Sequence, residues 1–175
     1  AMLPLQGLGQ GAQPIISYNY GAKNAGRVRE TYHLLLKAGL GFSLLLWALV
    51  MLFPRLFASL FTPDAALLDF TQNALRIYMA SMGLFGIQIA CQMTFTSLGK
   101  ARESIIVAVT RKFVLLIPLI YLLPRLFSAA PTTAIYAAEP VADLLAVTFT
   151  AVLFGIQFKK SMKKLESERQ APAAQ

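Results

Sequence analysis

Two acidic residues have the type and spacing to bind a cation or to carry a proton. Glu139 and Asp143 are four residues apart, which places them on one face of a helix. They are the acids whose apolar surroundings could put them at membrane depth, where a carboxylate is a candidate for ion or proton handling. Pro140 also fits a second interpretation, in which the helix begins there and both acids lie in its first turn, stabilised by the helix dipole.

A polar stripe near the start of the chain is the second candidate feature. No charged residue occurs between Met2 and Tyr20, and the polar residues in this stretch recur at spacings of four, three and four. On a helix they share one face, which in a membrane must contact protein or water rather than lipid. The stripe either lines a pathway or packs against a neighbouring helix, where small and amide side chains allow close contact. Its residues are Gln6, Gln10, Gln13 and Ser17.

A second polar stripe occurs in the middle of the chain, with methionines around it. Amide groups beside methionine and aromatic side chains make an adaptable surface for organic ligands, although methionines are also ordinary core residues. The stripe consists of Ser81, Gln88, Gln92 and Thr96, with Phe85 in the same register. From the two stripes we predict that a substrate pathway is lined by Gln6, Gln10, Gln13, Ser17, Asn19, Gln88, Gln92 and Met93.

Enzyme chemistry finds no support in these residues. The single cysteine, Cys91, allows no disulfide within the chain, and the single histidine, His33, has no second ligand nearby in sequence. The sequence contains no phosphate-binding glycine loop and no nucleophile paired with a base. We therefore predict no catalytic residue, no metal site and no organic cofactor.

The composition predicts an all-α integral membrane protein. Of 175 residues, 57% are hydrophobic and 14% are charged, and several apolar runs have the length that crosses a bilayer. We predict about five transmembrane spans and a basic tail, 159–175, with a disordered end. The spans are about 2–20, 38–61, 74–98, 113–127 and 135–158, with a break or kink at Pro54, an end at Gly99 and a neutral loop over 128–133.

The basic residues are distributed unevenly between the two sides of this five-span arrangement. Thirteen of the sixteen Lys and Arg residues lie after the first span, after the third span and in the tail. This count places Arg111 and Lys112 in the connection after the third span. The positive-inside rule then predicts a cytoplasmic C-terminus. The net charge of +8 is explained without a nucleic-acid partner.

The stretch from Gly9 to Asn24, GQGAQPIISYNYGAKN, resembles the second helix of the C-terminal lobe of bacterial multidrug and toxic compound extrusion (MATE) transporters. Phe57–Asp64, Thr96–Ala101 and Ala138–Asp143 are similar to later segments of that family, in the same order. The resemblance implies a part of a two-lobe, twelve-helix antiporter that exports organic cations or other amphipathic compounds in exchange for Na⁺ or H⁺. The five spans correspond to helices eight to twelve.

Two departures from the family pattern accompany this resemblance. The resemblance implies that the first lobe and the seventh helix are absent from the chain. We therefore expect the chain to need the first lobe as a partner for transport. Some branches also carry an acid in the tenth helix, but no acid occurs here between Asp69 and Glu103. The coupling ion is therefore expected to bind mainly in the missing lobe.

Two other functions are compatible with the sequence. A lipid-linked sugar or polysaccharide flippase of the same superfamily would need basic residues in its cavity, and the predicted spans place no Lys or Arg in mid-span. A membrane scaffold without transport activity would turn its polar stripes toward neighbouring helices. We expect drug export, with the lipid bilayer and amphipathic or cationic small molecules as the contacts of the protein.

Overall fold

The computed structural model describes residues 2–60, 64–126 and 131–170, and every regular element in that part of the chain is helical. A 3₁₀ turn, Met82–Leu84, lies just before the helix that begins at Phe85, and a π-helical segment, Thr110–Leu116, joins the helix that ends at Val109 to the one that begins at Ile117. The helices are α1 (Met2–Gly21), α2 (Ala25–Leu52), α3 (Pro54–Ser59), α4 (Ala65–Tyr78), α5 (Phe85–Ser97), α6 (Ala101–Val109), α7 (Ile117–Leu126) and α8 (Pro131–Gln170).

Four helical stretches of the described chain are long and apolar enough to cross a membrane: Ala25–Leu52, Leu67–Ser97, Ala101–Arg125 and Ile135–Arg169. Helix α1 has the length of a span, but its amide and glycine residues lower its hydropathy. It packs lengthwise against α2 and α5. The architecture confirms the predicted all-α, multi-span membrane bundle.

Proline and glycine end two of the long helices where the sequence predicts an interruption. Helix α2 ends at Leu52, and Pro54 occupies the first turn of α3, where its missing N–H costs nothing. Helix α5 ends at Ser97, and Gly99 follows with φ +71°, a left-handed conformation that glycine adopts without strain. The Lys100 amide then donates to the Phe95 carbonyl at 2.9 Å, which closes the helix end.

The predicted boundary of the fourth span is wrong. Helical structure runs without a break from Ala101 through the π-helical segment to Leu126, so Arg111 and Lys112 lie inside a candidate span and not in a connection. The interpretation that no basic residue lies in mid-span is therefore also wrong. A membrane span tolerates Arg111 because an acid on α8 faces it, as described below.

The second interpretation of the two acids, in which the last helix begins at Pro140, is wrong as well. Helix α8 begins at Pro131 and continues through Pro140, so Glu139 and Asp143 lie beyond its first turn and the helix dipole does not explain them. Packing on α4 holds the stretch before Pro140, where the rings of Phe70 and Tyr136 meet edge to face with centroids 6.3 Å apart. Of the predicted loop 128–133, the part from Pro131 onward is helical and the rest lies outside the described residues.

Helix α8 also extends past the predicted end of the fifth span at Phe158. Met162 and Leu165 are buried against Ile16, Val28 and Leu98, and Arg29 of α2 pairs with Glu166 at 2.7 Å. Residues 159–170 are thus a packed helical extension, not a loose tail, because apolar side chains recur on one face among the lysines. The predicted disorder at 171–175 lies outside the described residues.

A close helix contact joins α2 and α5 through two glycines. A Cβ atom on Gly86 would overlap the carbonyl group of Gly39, so no larger residue fits without moving the backbone. Beside this contact the Ser43 hydroxyl donates to the Gly83 carbonyl at 2.7 Å and accepts from the Gly86 amide at 3.3 Å. Small residues and a serine hydroxyl therefore set the distance between these helices.

We predict that Gly86→Ala destabilises the protein by about 1–3 kcal/mol, since the added methyl group forces two backbones apart. Thermal unfolding in detergent, followed by size-exclusion profile, measures the change. Gly41→Ala is the matched control, because a Cβ atom there meets nothing within 4 Å. Equal unfolding temperatures for the two variants would show that the glycine contact does not set the packing distance.

Candidate substrate site

A buried ion pair links α8 to the π-helical segment. Nε of Arg111 donates to Oδ1 of Asp143 at 2.6 Å, and the Asp143 carboxylate is almost completely buried. Ser81, which precedes the 3₁₀ turn between α4 and α5, donates its hydroxyl to Oδ2 at 3.1 Å. Both carboxylate oxygens thus have a donor, so Asp143 is held in place by two other elements.

Arg111 has further contacts that orient its guanidinium group. Its Cζ atom lies 5.2 Å from the centre of the Phe85 ring, within the range of a cation–π contact. Its Nη2 atom lies 3.9 Å from Oε1 of Glu139, a looser contact than the bond to Asp143. Arg111 therefore compensates the charge of Asp143 directly and that of Glu139 only in part.

These charged groups lie in the wall of a cavity of about 450 Å³. Tyr78, Met79, Met82 and Phe85 form its apolar side, and Met2 of α1 reaches its edge. Lys112, exposed beside Arg111, completes the charged side with Glu139 and Asp143. The combination of apolar and aromatic walls with a few fixed charges is typical of sites for organic ligands.

Bends in two helices position these groups. The 3₁₀ turn Met82–Leu84 interrupts the third span beside Ser81, and the π-helical segment widens the turn that carries Arg111. In that segment the Ile117 amide bonds to the Lys112 carbonyl, five residues back. Such π segments occur often at functional sites, since the wider turn changes where a side chain points.

The predicted stripe on α1 does not line this cavity. Among the described residues of α1, Met2 lines it. Gln6 and Gln10 are exposed and Gln13 is half-buried, on a face that no described helix covers fully. Ser17 crosses to α5, donating its hydroxyl to the Ser97 carbonyl at 3.0 Å. Asn19 bonds within α1, to the Ile15 carbonyl at 2.8 Å.

The predicted lining residues of α5 have three different environments. Gln88 is buried, and its Oε1 atom has no hydrogen-bond partner among the described residues. Gln92 is half-buried. Met93 packs against α1, where a Cβ atom on Gly9 would lie 2.6 Å from Met93 Cγ. The predicted lining residues of both stripes therefore do not line the cavity of the acidic pair, which the second stripe reaches through Ser81 and Phe85, and Met93 fills a helix contact.

The sequence pattern predicts the acids of the site but not its basic member, Arg111. The signal was present, because Arg111 and Lys112 interrupt apolar residues on both sides, and the combined stretch is long enough for one span. Two acids in a span require a counter-ion, which was a reason to look for a basic residue inside another span. Ser81 was part of the predicted second stripe, and the structure gives it a role as a donor to Asp143.

Together, the helices and the cavity define a multi-span membrane protein with a charged site inside the bundle. The MatE family model matches residues 1–122 of the chain. The chain belongs to the MatE family of MATE transporters, which confirms the predicted resemblance. No match was found among the curated proteins.

Solved MATE transporters have the same fold. The MATE multidrug transporter DinF-BH, solved as a ligand complex, is 38% identical over 87% of this chain and 33% of its own, with a TM-score of 0.79. A MATE structure in the bent conformation has a TM-score of 0.86 at 17% identity, covering 94% of this chain and 36% of its own. An outward-facing multidrug resistance MATE transporter has a TM-score of 0.83 at 18% identity, covering 93% of this chain and 36% of its own. This chain spans about a third of their length.

We predict that Arg111→Met destabilises the protein by about 3–5 kcal/mol, because it leaves the Asp143 carboxylate buried without a counter-ion. The double variant Arg111→Met/Asp143→Leu should regain much of this loss, since neither charge is then stranded. Unfolding in detergent measures both. Lys112→Met is the control, because Lys112 is exposed and adjacent. A loss no larger than that of the control would contradict a structural role for the ion pair.

We further predict that a cysteine replacing Gln10 reacts with a membrane-impermeant maleimide, whereas one replacing buried Gln88 does not. The lining interpretation requires water at the α1 stripe, and a thiol reacts as its thiolate in water. Cys91→Ala supplies the background. Leu45→Cys is the control, because Leu45 is 59% exposed on an apolar helix and should face lipid. An unreactive Gln10→Cys would favour the scaffold interpretation.

Proposed function

We propose that this chain is the C-terminal lobe portion of a transporter that exports amphipathic organic cations by alternating access, in exchange for Na⁺ or H⁺. The observation that carries the proposal is the 38% identity, over 87% of the chain, to a MATE multidrug transporter. At this level of identity the fold and the general class of substrate are expected to be shared. The chain spans a third of that protein, so it acts with a first lobe.

The cavity suits an amphipathic cation. Its wall of methionine and aromatic side chains accepts flat apolar bodies of different shapes. Asp143 is already compensated by Arg111 and Ser81, which leaves Glu139 as the carboxylate with an incompletely balanced charge. We assign Glu139 the recognition of the positive group of the substrate. No step in this process converts the substrate chemically.

The coupling ion and the substrate need different sites. Both oxygens of Asp143 are occupied by donors, so a Na⁺ ion would have to displace Arg111 to bind there. This favours the first lobe as the main site of Na⁺ or H⁺ binding, as the resemblance implies. Within this chain, Glu139 is the better candidate for a secondary role, because its contact with Arg111 is 3.9 Å.

A group of basic residues at one end of the bundle supports an orientation in the membrane. Lys23, Arg29, Lys159 and Lys160 lie at the same end of the bundle, where Arg29 and Lys23 pair with Glu166 and Glu168 of α8. The positive-inside rule places this end, and the C-terminus, in the cytoplasm. We propose the cytoplasmic membrane of a prokaryote as the location.

The flippase alternative gains one supporting observation. Arg111 and Lys112 lie in the cavity wall, where basic residues would hold a pyrophosphate group. Against it, Arg111 faces two carboxylates, which repel an anion and reduce the charge available for one. Drug export therefore remains the better-supported function.

We predict that the complete reading frame containing this chain confers ethidium efflux on cells that lack their own efflux pumps, and that Glu139→Gln lowers the efflux rate at least about tenfold. Removing the charge loses an attraction of roughly 1.4 kcal/mol or more at the site. Fluorescence of preloaded ethidium measures the rate.

Glu30→Gln is the matched control, since Glu30 is exposed and pairs with Arg27 away from the cavity. Efflux that responds equally to both substitutions would remove Glu139 from substrate recognition. Two results together would establish the flippase instead. Cells that express the protein would show no ethidium efflux, and deletion of the gene would cause a lipid-linked sugar pyrophosphate to accumulate on one face of the membrane.

A further inference from the structure

A second cavity, of about 430 Å³, lies between α2 and α8 at the basic end of the bundle and is separate from the charged site. Away from that end its lining is apolar and includes Leu36, Leu40, Ile87 and Ala151. Gly155 also lines it, and a Cβ atom on that glycine would meet nothing within 4 Å. The cavity is therefore open beside Gly155, and we call this open apolar space the slot.

Aromatic rings form the floor of this cavity. The rings of Tyr32, Phe154 and Phe158 lie with their centroids 4.7–5.0 Å apart in every pairing. The Tyr32 hydroxyl approaches the Cys91 sulfur at 3.9 Å. This cluster is apolar apart from the tyrosine hydroxyl.

The rim of the cavity is basic. Arg29, His33 and Lys159 line it, and Nδ1 of His33 donates to the Arg29 carbonyl at 2.7 Å, which fixes the ring there. Glu166 compensates Arg29 at 2.7 Å, but Lys159 is exposed and forms no ion pair with any described residue. Lys159 thus supplies the uncompensated charge of the rim.

From this arrangement we propose that the cavity binds one anionic phospholipid, with its phosphate at Lys159 and Arg29 and an acyl chain in the slot beside Gly155. The charge complementarity argues for an anionic headgroup, and the change from a basic rim to an apolar lining matches the two ends of a lipid. Basic pockets between transmembrane helices bind anionic headgroups by these same interactions. The proposal does not depend on the transported substrate.

Native mass spectrometry of the complete detergent-purified protein, with phosphatidylglycerol or phosphatidylcholine of identical acyl chains added, tests this assignment. We expect phosphatidylglycerol to be retained preferentially. Lys159→Gln should weaken its retention about fivefold, the effect of one basic residue near a phosphate. Gly155→Phe should abolish it by filling the slot.

Two matched controls identify the site. Lys160→Gln removes the adjacent lysine, which lies on another face of α8 and lines a different depression with Tyr20. Gly41→Phe adds a ring at another open glycine. Neither should change lipid retention.

Three results would overturn the proposal. One is equal retention of the two lipids by the wild type, and another is an equal effect of Lys159→Gln and Lys160→Gln. The third is displacement of the lipid by inorganic phosphate at a concentration equal to that of the lipid. This result would show that the cavity binds an anion without using the slot. Should Gly155→Phe fail to fold, the comparison of the two lysine variants decides alone.

Discussion

The ion pair between Arg111 and Asp143 is the interaction on which the interior of this bundle depends. Neither residue is stable alone at membrane depth, because no water there compensates a charge. At 2.6 Å, with Ser81 donating to the other carboxylate oxygen, each group satisfies the other. The pair therefore fixes the relative position of α8, the π-helical segment and the bend before α5.

This constraint explains irregular features that would otherwise be costly. A π-helical turn and a proline within a helix both weaken backbone hydrogen bonding, and lipid cannot replace the lost bonds. Both occur beside the charged groups of the site, the π-helical segment at Arg111 and the proline between the two acids of α8. The glycine contact of α2 and α5 sets the rest of the packing, and it holds Gly83 and Gly86 beside Ser43, next to the same bend.

Sequence patterns predict the local features of this fold well and its long-range pairings poorly. Pro54 and Gly99 act through their own backbones, so their effects are visible in the sequence. The partner of Asp143 is 32 residues away, and its identity depends on how helices pack. The start of α8 also depends on long-range packing. Contact with α4 extends the helix to residues before Pro140, where local preference alone would begin it.

The same distinction applies to the candidate site and to the charge count. Counting Lys and Arg by side treats every basic residue alike, yet the structure gives them three different roles. Arg111 is an internal counter-ion, Arg29 ties α2 to the end of α8 through Glu166, and Lys159 is exposed without an ion pair among the described residues. Since only unpaired charge attracts an anionic headgroup with full strength, the net charge of +8 indicates little about where such a group binds. The location is decided by which acids the fold places beside each basic residue.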